Sequence, residues 1–259
     1  MNDQGELAGH AAFVTGSGRN IGRAIALELA GRGANVVVNA RSNHDEAAAV
    51  AAACRALGVD ADVVIGAAAS PATIEAAHEL GERRFGGIDI TVSNAAVRPY
   101  QALQDITFAD WQAVLDTQVN ASFRIAEAFV PGMRARGWGR IIHITGPDAF
   151  IGLANRAHNV AAKGALRAFT KALAVELGPF GITVNDVAPG ILETERDDAS
   201  HPHASTEQLD RSRLVRLIPV GRLGRPDDVA YACGFLASPR ASYITGTVIP
   251  CFGGWINPA

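Results

Sequence analysis

The residues best placed to do chemistry stand near the start of the chain. The turn Thr15-Gly16-Ser17-Gly18-Arg19-Asn20-Ile21-Gly22 follows the apolar run Ala11–Val14 and opens an alanine-rich stretch. Glycines between a strand and a helix let the backbone approach a pyrophosphate, and the helix N-terminus offers N–H groups to it. Glycine alone marks only a tight turn; the position directly after the first strand is what points to a dinucleotide. The second apolar run ends Val38-Asn39-Ala40-Arg41-Ser42. A carboxylate there would hold the ribose 2′-hydroxyl of NAD. None is present, and Arg41 beside Ser42, with Arg19 in the loop, suits the 2′-phosphate of NADP(H) instead. Either arginine alone reads as a solvated surface charge; the pair favours NADP(H). Of the 23 basic residues only Lys163 and Lys171 are lysines. Lys163 lies among small or apolar neighbours, Val160 to Leu166, which suggests a role that arginine cannot fill.

Elements must hold these residues in place. Short β-branched runs, Ala11–Val14, Val36–Asn39, Asp62–Ile65, Ile88–Val92, Arg140–Thr145, Gly181–Val187 and Thr247–Pro250, read as strands. Helical stretches between them cover 20–33, 44–57, 71–85, 107–135, 157–178 and 226–237. Strands apolar at nearly every position, separated by helices, indicate a parallel sheet covered on both faces. The fold class is therefore α/β, a Rossmann-type doubly wound sheet, read as one domain over 1–259. The segment 191–218 breaks the rhythm: it is polar at first, carries His201-Pro202-His203, and turns helical near Thr206–Leu217. An insertion at the carboxyl ends of the sheet is where a substrate lid sits. The two histidines have no third ligand in pattern, so no metal site is expected.

Composition excludes other classes. The 259 residues are 48% hydrophobic and 19% charged, a globular balance. A formal net charge of −3 gives no support for nucleic acid or anionic membranes as partners. No apolar run approaches the ~18 residues of a membrane span. The start MNDQGELAGH lacks the pattern of a secretory signal, and Cys54, Cys233 and Cys251 form no CxxC pair. They read as free thiols in a cytoplasmic protein.

Several blocks together resemble the short-chain dehydrogenase/reductase family, close in pattern to bacterial 3-oxoacyl-carrier-protein reductases. They are TGSGRNIG (15–22), IDITVSNAAV (88–97), VNASFR (119–124), GRIIHITG (139–146), the long run 163–190 and ITGTVIPCFGGW (244–255). The resemblance implies a seven-stranded sheet, a homo-oligomer, commonly a tetramer, and a small-molecule substrate. It further implies cofactor contacts from Gly16, Ser17, Gly18, Arg19, Asn20, Ile21 and Gly22, from Asn94 and Ala95 after the fourth strand, from Lys163, and from Pro189, Gly190, Ile191 and Thr194 beside the nicotinamide.

The family's working set is an asparagine, a serine, a tyrosine and a lysine. Asn120 is matched to the asparagine and Lys163 to the lysine. Asn159 stands at the tyrosine position, four residues before Lys163, and Gly146 at the serine position. Ala67, Ala96 and Phe252 also depart from the family pattern. Asn159 can donate a hydrogen bond but releases no proton near neutral pH, and Gly146 has no side chain. General acid catalysis contributes about 10²–10⁴-fold, so this substitution must be made good elsewhere. Tyr100 and His158 are the first candidates for the missing acid, ahead of Asp148 and His143. The leading expectation is an NADP(H)-dependent carbonyl/alcohol oxidoreductase with a non-standard proton donor. The alternatives are a non-redox lyase, dehydratase or isomerase on the same fold, and a non-catalytic nucleotide-binding protein.

Overall fold

A computed structural model describes residues 5–194 and 211–256. Its seven strands are β1 (Ala11–Val14), β2 (Asn35–Ala40), β3 (Ala61–Ile65), β4 (Ile90–Ser93), β5 (Gly139–Ile144), β6 (Ile182–Pro189) and β7 (Val248–Cys251). They pair in the order β3-β2-β1-β4-β5-β6-β7, and every pairing is parallel. The strand order reverses direction between β1 and β4, which places a crevice beyond their carboxyl ends.

Alternation along each strand supplies two cores. Ala12 and Val14 of β1, with Ile90, Val92, Ile142 and Ile144, pack under α1 (Asn20–Gly31) and α8 (Pro226–Ala237). Phe13, Ile141 and Val184 turn to the other face, where Phe129 and Met133 of α5 (Ala121–Arg136) and Leu177 of α6 (Ala157–Leu177) meet them. Period-two side-chain direction under helices on both faces explains why these strands show no polar side. The second helix, α2 (His44–Ala56), covers β2 and β3 through a third cluster around Val36, Val38, Val50 and Cys54; α3 (Pro71–Phe85) joins the Phe13 face.

The expected helix over 107–135 is not continuous. Phe108–Leu115 forms α4, Asp116–Asn120 widens into one π turn, and α5 follows from Ala121. A π turn adds a residue to the helical register and is common where a helix borders a functional site. Within the 191–218 segment, α7 (Arg211–Arg216) lies inside the helix expected near Thr206–Leu217. His201 and His203 lie outside the described residues. Among the described residues, no helix is long and apolar enough to cross a membrane, and no three His, Cys, Asp or Glu side chains gather as metal ligands.

Candidate active site

The turn after β1 is braced from below. The Asn94 amide donates to the Thr15 and Gly16 carbonyl oxygens at 3.0 and 3.1 Å. The Thr15 hydroxyl accepts from the Asn94 and Ala95 backbone N–H groups at 2.9 and 3.1 Å. Asn39, buried at the end of β2, accepts from Gly16 N–H at 3.1 Å and donates to the Val64 and Gly66 carbonyls. The Ser17 hydroxyl is fully buried and donates to Val14 O at 2.7 Å, so it holds the turn and does not face the cleft. A Cβ at Gly22 would stand 2.2 Å from Gly16 O, so only glycine lets the helix start this close to the strand. Asn20 sits at φ 48°, a left-handed geometry that asparagine tolerates.

These residues fit a dinucleotide. The N-terminus of α1 has no side-chain cap, which is the arrangement that receives a phosphate. Arg41 and Ser42 are exposed just beyond the end of β2, and Ala67 stands shortly after β3. On the opposite side, Pro189 ends β6 and Gly190 N–H donates to Cys251 O at 3.0 Å. A Cβ on Gly190 would come within 3.0 Å of Phe252 Cα. Phe252 is buried edge-on against Phe150, which explains an aromatic residue before Gly253. Ile191 and Thr194 follow along the same edge, where Leu192 bridges to Gly224.

The catalytic end is built differently. Lys163 is only 4% exposed, and its Nζ donates to Ile144 O at 2.8 Å. Burial, reinforced by the charge of Arg98, brings its pKa down to about 7, with Asp148 and Asp186 opposing and Arg156 adding to the fall. Asn159 is buried between two polar side chains. Gln118 Nε2 donates to Val97 O at 3.0 Å and to Asn159 Oδ1 at 3.1 Å. The Asn159 amide nitrogen donates to the Asp148 carboxylate. A carbonyl such as Val97 O can only accept, so this chain has one direction, with Asp148 as its terminal acceptor. The Arg156 guanidinium stands 3.3 Å from the same carboxylate and lies over the Tyr100 ring, 4.9 Å from its centroid.

Gly146 adopts φ 143°, ψ −177° after β5. The nearest atom to a Cβ there is Pro189 O at 3.7 Å, so space permits a side chain and the backbone angle opposes it. A second buried set lies behind Lys163. His143 Nδ1 is 2.7 Å from the Thr170 hydroxyl, which donates to Asp186 at 2.6 Å. His143 is fully buried, so it takes no direct part at the cleft.

Asn120, matched to the family asparagine, and the two candidate acids, His158 and Tyr100, are placed as follows. Asn120 is exposed and its amide donates to Asp116, one π turn back. The residue of this segment that reaches the site is Gln118. The π turn changes which side chains face inward, and an amide two positions earlier than Asn120 carried no sequence signal of its own. His158 is buried with both ring nitrogens engaged. Nδ1 accepts the Asn159 backbone N–H at 2.9 Å, and Nε2 faces Gln101 Oε1 at 3.2 Å. Gln101 Nε2 donates to Asp110, which leaves its Oε1 for the His158 proton. Burial lowers the His158 pKa, so the ring is a neutral cap on α6 and no proton donor. Tyr100 is 39% exposed at the mouth, covered on one face by Arg156.

The comparisons with known proteins follow the same outline. Residues 16–255 match the family model described as Enoyl-(Acyl carrier protein) reductase. The 3-oxoacyl-(acyl-carrier-protein) reductase of Pseudomonas aeruginosa is 36% identical over 248 residues, 96% of this chain and 98% of that one. The Escherichia coli enzyme of the same name is 37% identical over 254 residues, 98% of each chain. A gluconate 5-dehydrogenase from Burkholderia cenocepacia, solved in complex with NADP and tartrate, superposes with a TM-score of 0.86 at 34% identity, covering 98% of this chain and 97% of that chain. The chain belongs to the short-chain dehydrogenase/reductase family of oxidoreductases.

Proposed function

We propose that this protein is an NADP(H)-dependent oxidoreductase acting on a carbonyl/alcohol pair, with the proton handled at Lys163 Nζ. The observation that carries the reading is the amine itself: buried, anchored to Ile144 O at 2.8 Å, and held at a pKa of about 7. A general acid works best when its pKa lies near the working pH. The bound nicotinamide supplies or accepts the hydride. Gly16 to Gly22, Arg41, Ser42, Asn94 and Ala95 would hold the adenosine and pyrophosphate half, with Lys163, Pro189, Gly190, Ile191 and Thr194 around the nicotinamide half. NADP(H) is favoured over NAD(H) by Arg41 and Arg19 in place of an acidic residue, and the Burkholderia cenocepacia relative was solved with NADP.

Asn159 orients through its fixed amide and Asp148 bears the negative charge, while Tyr100 and Asn120 serve no chemical role in this reading. The reading extends to one domain over 1–259 with a lid at about 191–218, as the element pattern suggests, to the cytoplasm, as the free thiols suggest, and to a homotetramer, as the family resemblance implies. A second reading is non-redox turnover by a lyase, dehydratase or isomerase; it is favoured by the locked Gln118–Asn159–Asp148 chain, which leaves no tyrosine-like acid. One experiment separates them. NADPH binding is titrated by tryptophan quenching, and purified protein is then screened with carbonyl substrates while following reduced-nicotinamide absorbance and product together. Product with matching cofactor oxidation supports the oxidoreductase; product with no cofactor change supports the second reading.

A further inference from the structure

Arg156 is the least explained charge near the cleft. Its side chain is 13% exposed, and its sole ionic contact among the described residues is Asp148 at 3.3 Å. No hydrogen bond from its guanidinium is formed among the described residues, and its Nε is buried without a partner. A guanidinium carries five N–H donors in a planar fork, and one that is mostly withdrawn from water normally has them matched. Stacking on Tyr100 fixes the plane of the fork and matches none of its donors. The surroundings favour an anion. Arg98, itself exposed in the loop after β4, and Arg156 both act on the Lys163 amine, against Asp148 and Asp186. Asp186 is already committed to Thr170, and Asp148 to Asn159.

We propose that Arg156, with Arg98, anchors a carboxylate of the substrate, so that the protein acts on a small oxo acid or the matching hydroxy acid. A carboxylate matches the guanidinium fork in a bidentate pair, which supplies direction as well as charge. Arg156 is the N-cap of α6 and Lys163 stands seven residues on, and the charge of Arg156 acts on the Lys163 amine. This inference rests on the oxidoreductase reading for the oxidation state of the substrate, but not for its charge.

The test uses the whole protein and two probes, 3-hydroxybutyrate and its methyl ester, by isothermal titration with and without NADP. NADPH binding is measured first on the same preparation. The expected result is that the acid binds at least tenfold more tightly than the ester. Arg156→Gln should abolish that preference, Arg98→Gln should reduce it several-fold, and Arg156→Lys should restore part of it. Because Arg156 also braces Asp148, thermal unfolding of each variant is followed; Arg98→Gln, at an exposed position, keeps the test valid if Arg156→Gln does not fold. Equal binding of acid and ester, absence of binding by both, or a preference that survives in the folded variants overturns the proposal. Carboxylate preference without NADPH binding would leave the anchor standing and remove the oxidoreductase reading. NADPH binding without carboxylate preference would do the reverse.

Discussion

The turn at Thr15–Gly22 and the turn that runs from Gly146 to Asn159 both leave a parallel strand at its carboxyl end, and they solve different problems. The first is held by backbone and small amides, with glycine enforced by contact: a Cβ on Gly22 would stand 2.2 Å from a carbonyl oxygen. The second is held by a directed chain of polar side chains, with glycine favoured at Gly146 by its backbone angle, since a Cβ there would make only ordinary contact with Pro189 O at 3.7 Å. A site that must accept a polyanion keeps its N–H groups and removes bulk. A site that moves one proton needs a group near neutrality, and burial lowers Lys163 to about 7, the property on which the proposed role rests. On the reading proposed above, the first turn serves the cofactor, while the second sets carboxamides beside a buried amine.

This contrast can be broken first at the amine. Lys163→Met should lower kcat by about 10²–10⁴-fold. In the parent protein, carbonyl reduction needs the protonated amine, so its rate should fall as pH rises through about 7, and alcohol oxidation should rise over the same range. Stability gives an independent reading. The folded-state pKa of Lys163 is depressed from 10.5 to about 7, so between those values the unfolded chain binds more protons and stability increases with pH. Lys163→Met should flatten that increase in denaturant midpoints measured across the window. A rate profile indifferent to pH near neutrality would assign the proton elsewhere.

Smaller effects sharpen the two halves separately. Gly22→Ala forces backbone against backbone and should cost about 3 kcal/mol in urea unfolding, with loss of NADPH binding. Asn159→Ala leaves one Gln118 Nε2 N–H unmatched and takes from Asp148 its buried amide donor, with Arg156 as the remaining partner, at about 2 kcal/mol; preserved stability would deny the chain its structural role. Gly146→Ala should cost about 1 kcal/mol through conformation alone. Gly18→Ala, whose Cβ meets Ala40 at an ordinary 3.5 Å, should be close to neutral. Arg41→Gln should weaken NADPH about tenfold while leaving NADH unchanged, equivalent to ~1.4 kcal/mol. If both nucleotides weaken equally, Arg41 senses the pyrophosphate and not the 2′-phosphate.

Much of this architecture is legible in the chain. Apolar runs such as Phe13-Val14 and Ile141-Ile142 can only be buried on both faces, and the glycines at 16, 18 and 22 mark where strand becomes helix. All seven expected strands overlap the observed ones; the first coincides at both ends, and no end is displaced by more than two residues. The catalytic side was less legible, because its decisive contacts join residues far apart in sequence. Gln118 meets Asn159 across 41 positions, and nothing in either local pattern announces it. The π turn at Asp116–Asn120 interrupts the register by which a helix face is read, so Asn120 was credited with a place that Gln118 occupies.

His158 shows the same limit. Its type and its neighbour suggested a titrating group, and only the positions of Gln101 and Asp110 make it a neutral cap. By itself the sequence determined the sheet, the glycine turn after its first strand, and the singular lysine four residues after Asn159, since each depends on local pattern or residue chemistry. Tertiary structure alone decided the depth of Lys163, the direction of the Gln118–Asn159–Asp148 chain and the unmatched fork of Arg156. Proton affinity and hydrogen-bond satisfaction are properties of an environment, and that environment exists only once distant segments have packed together.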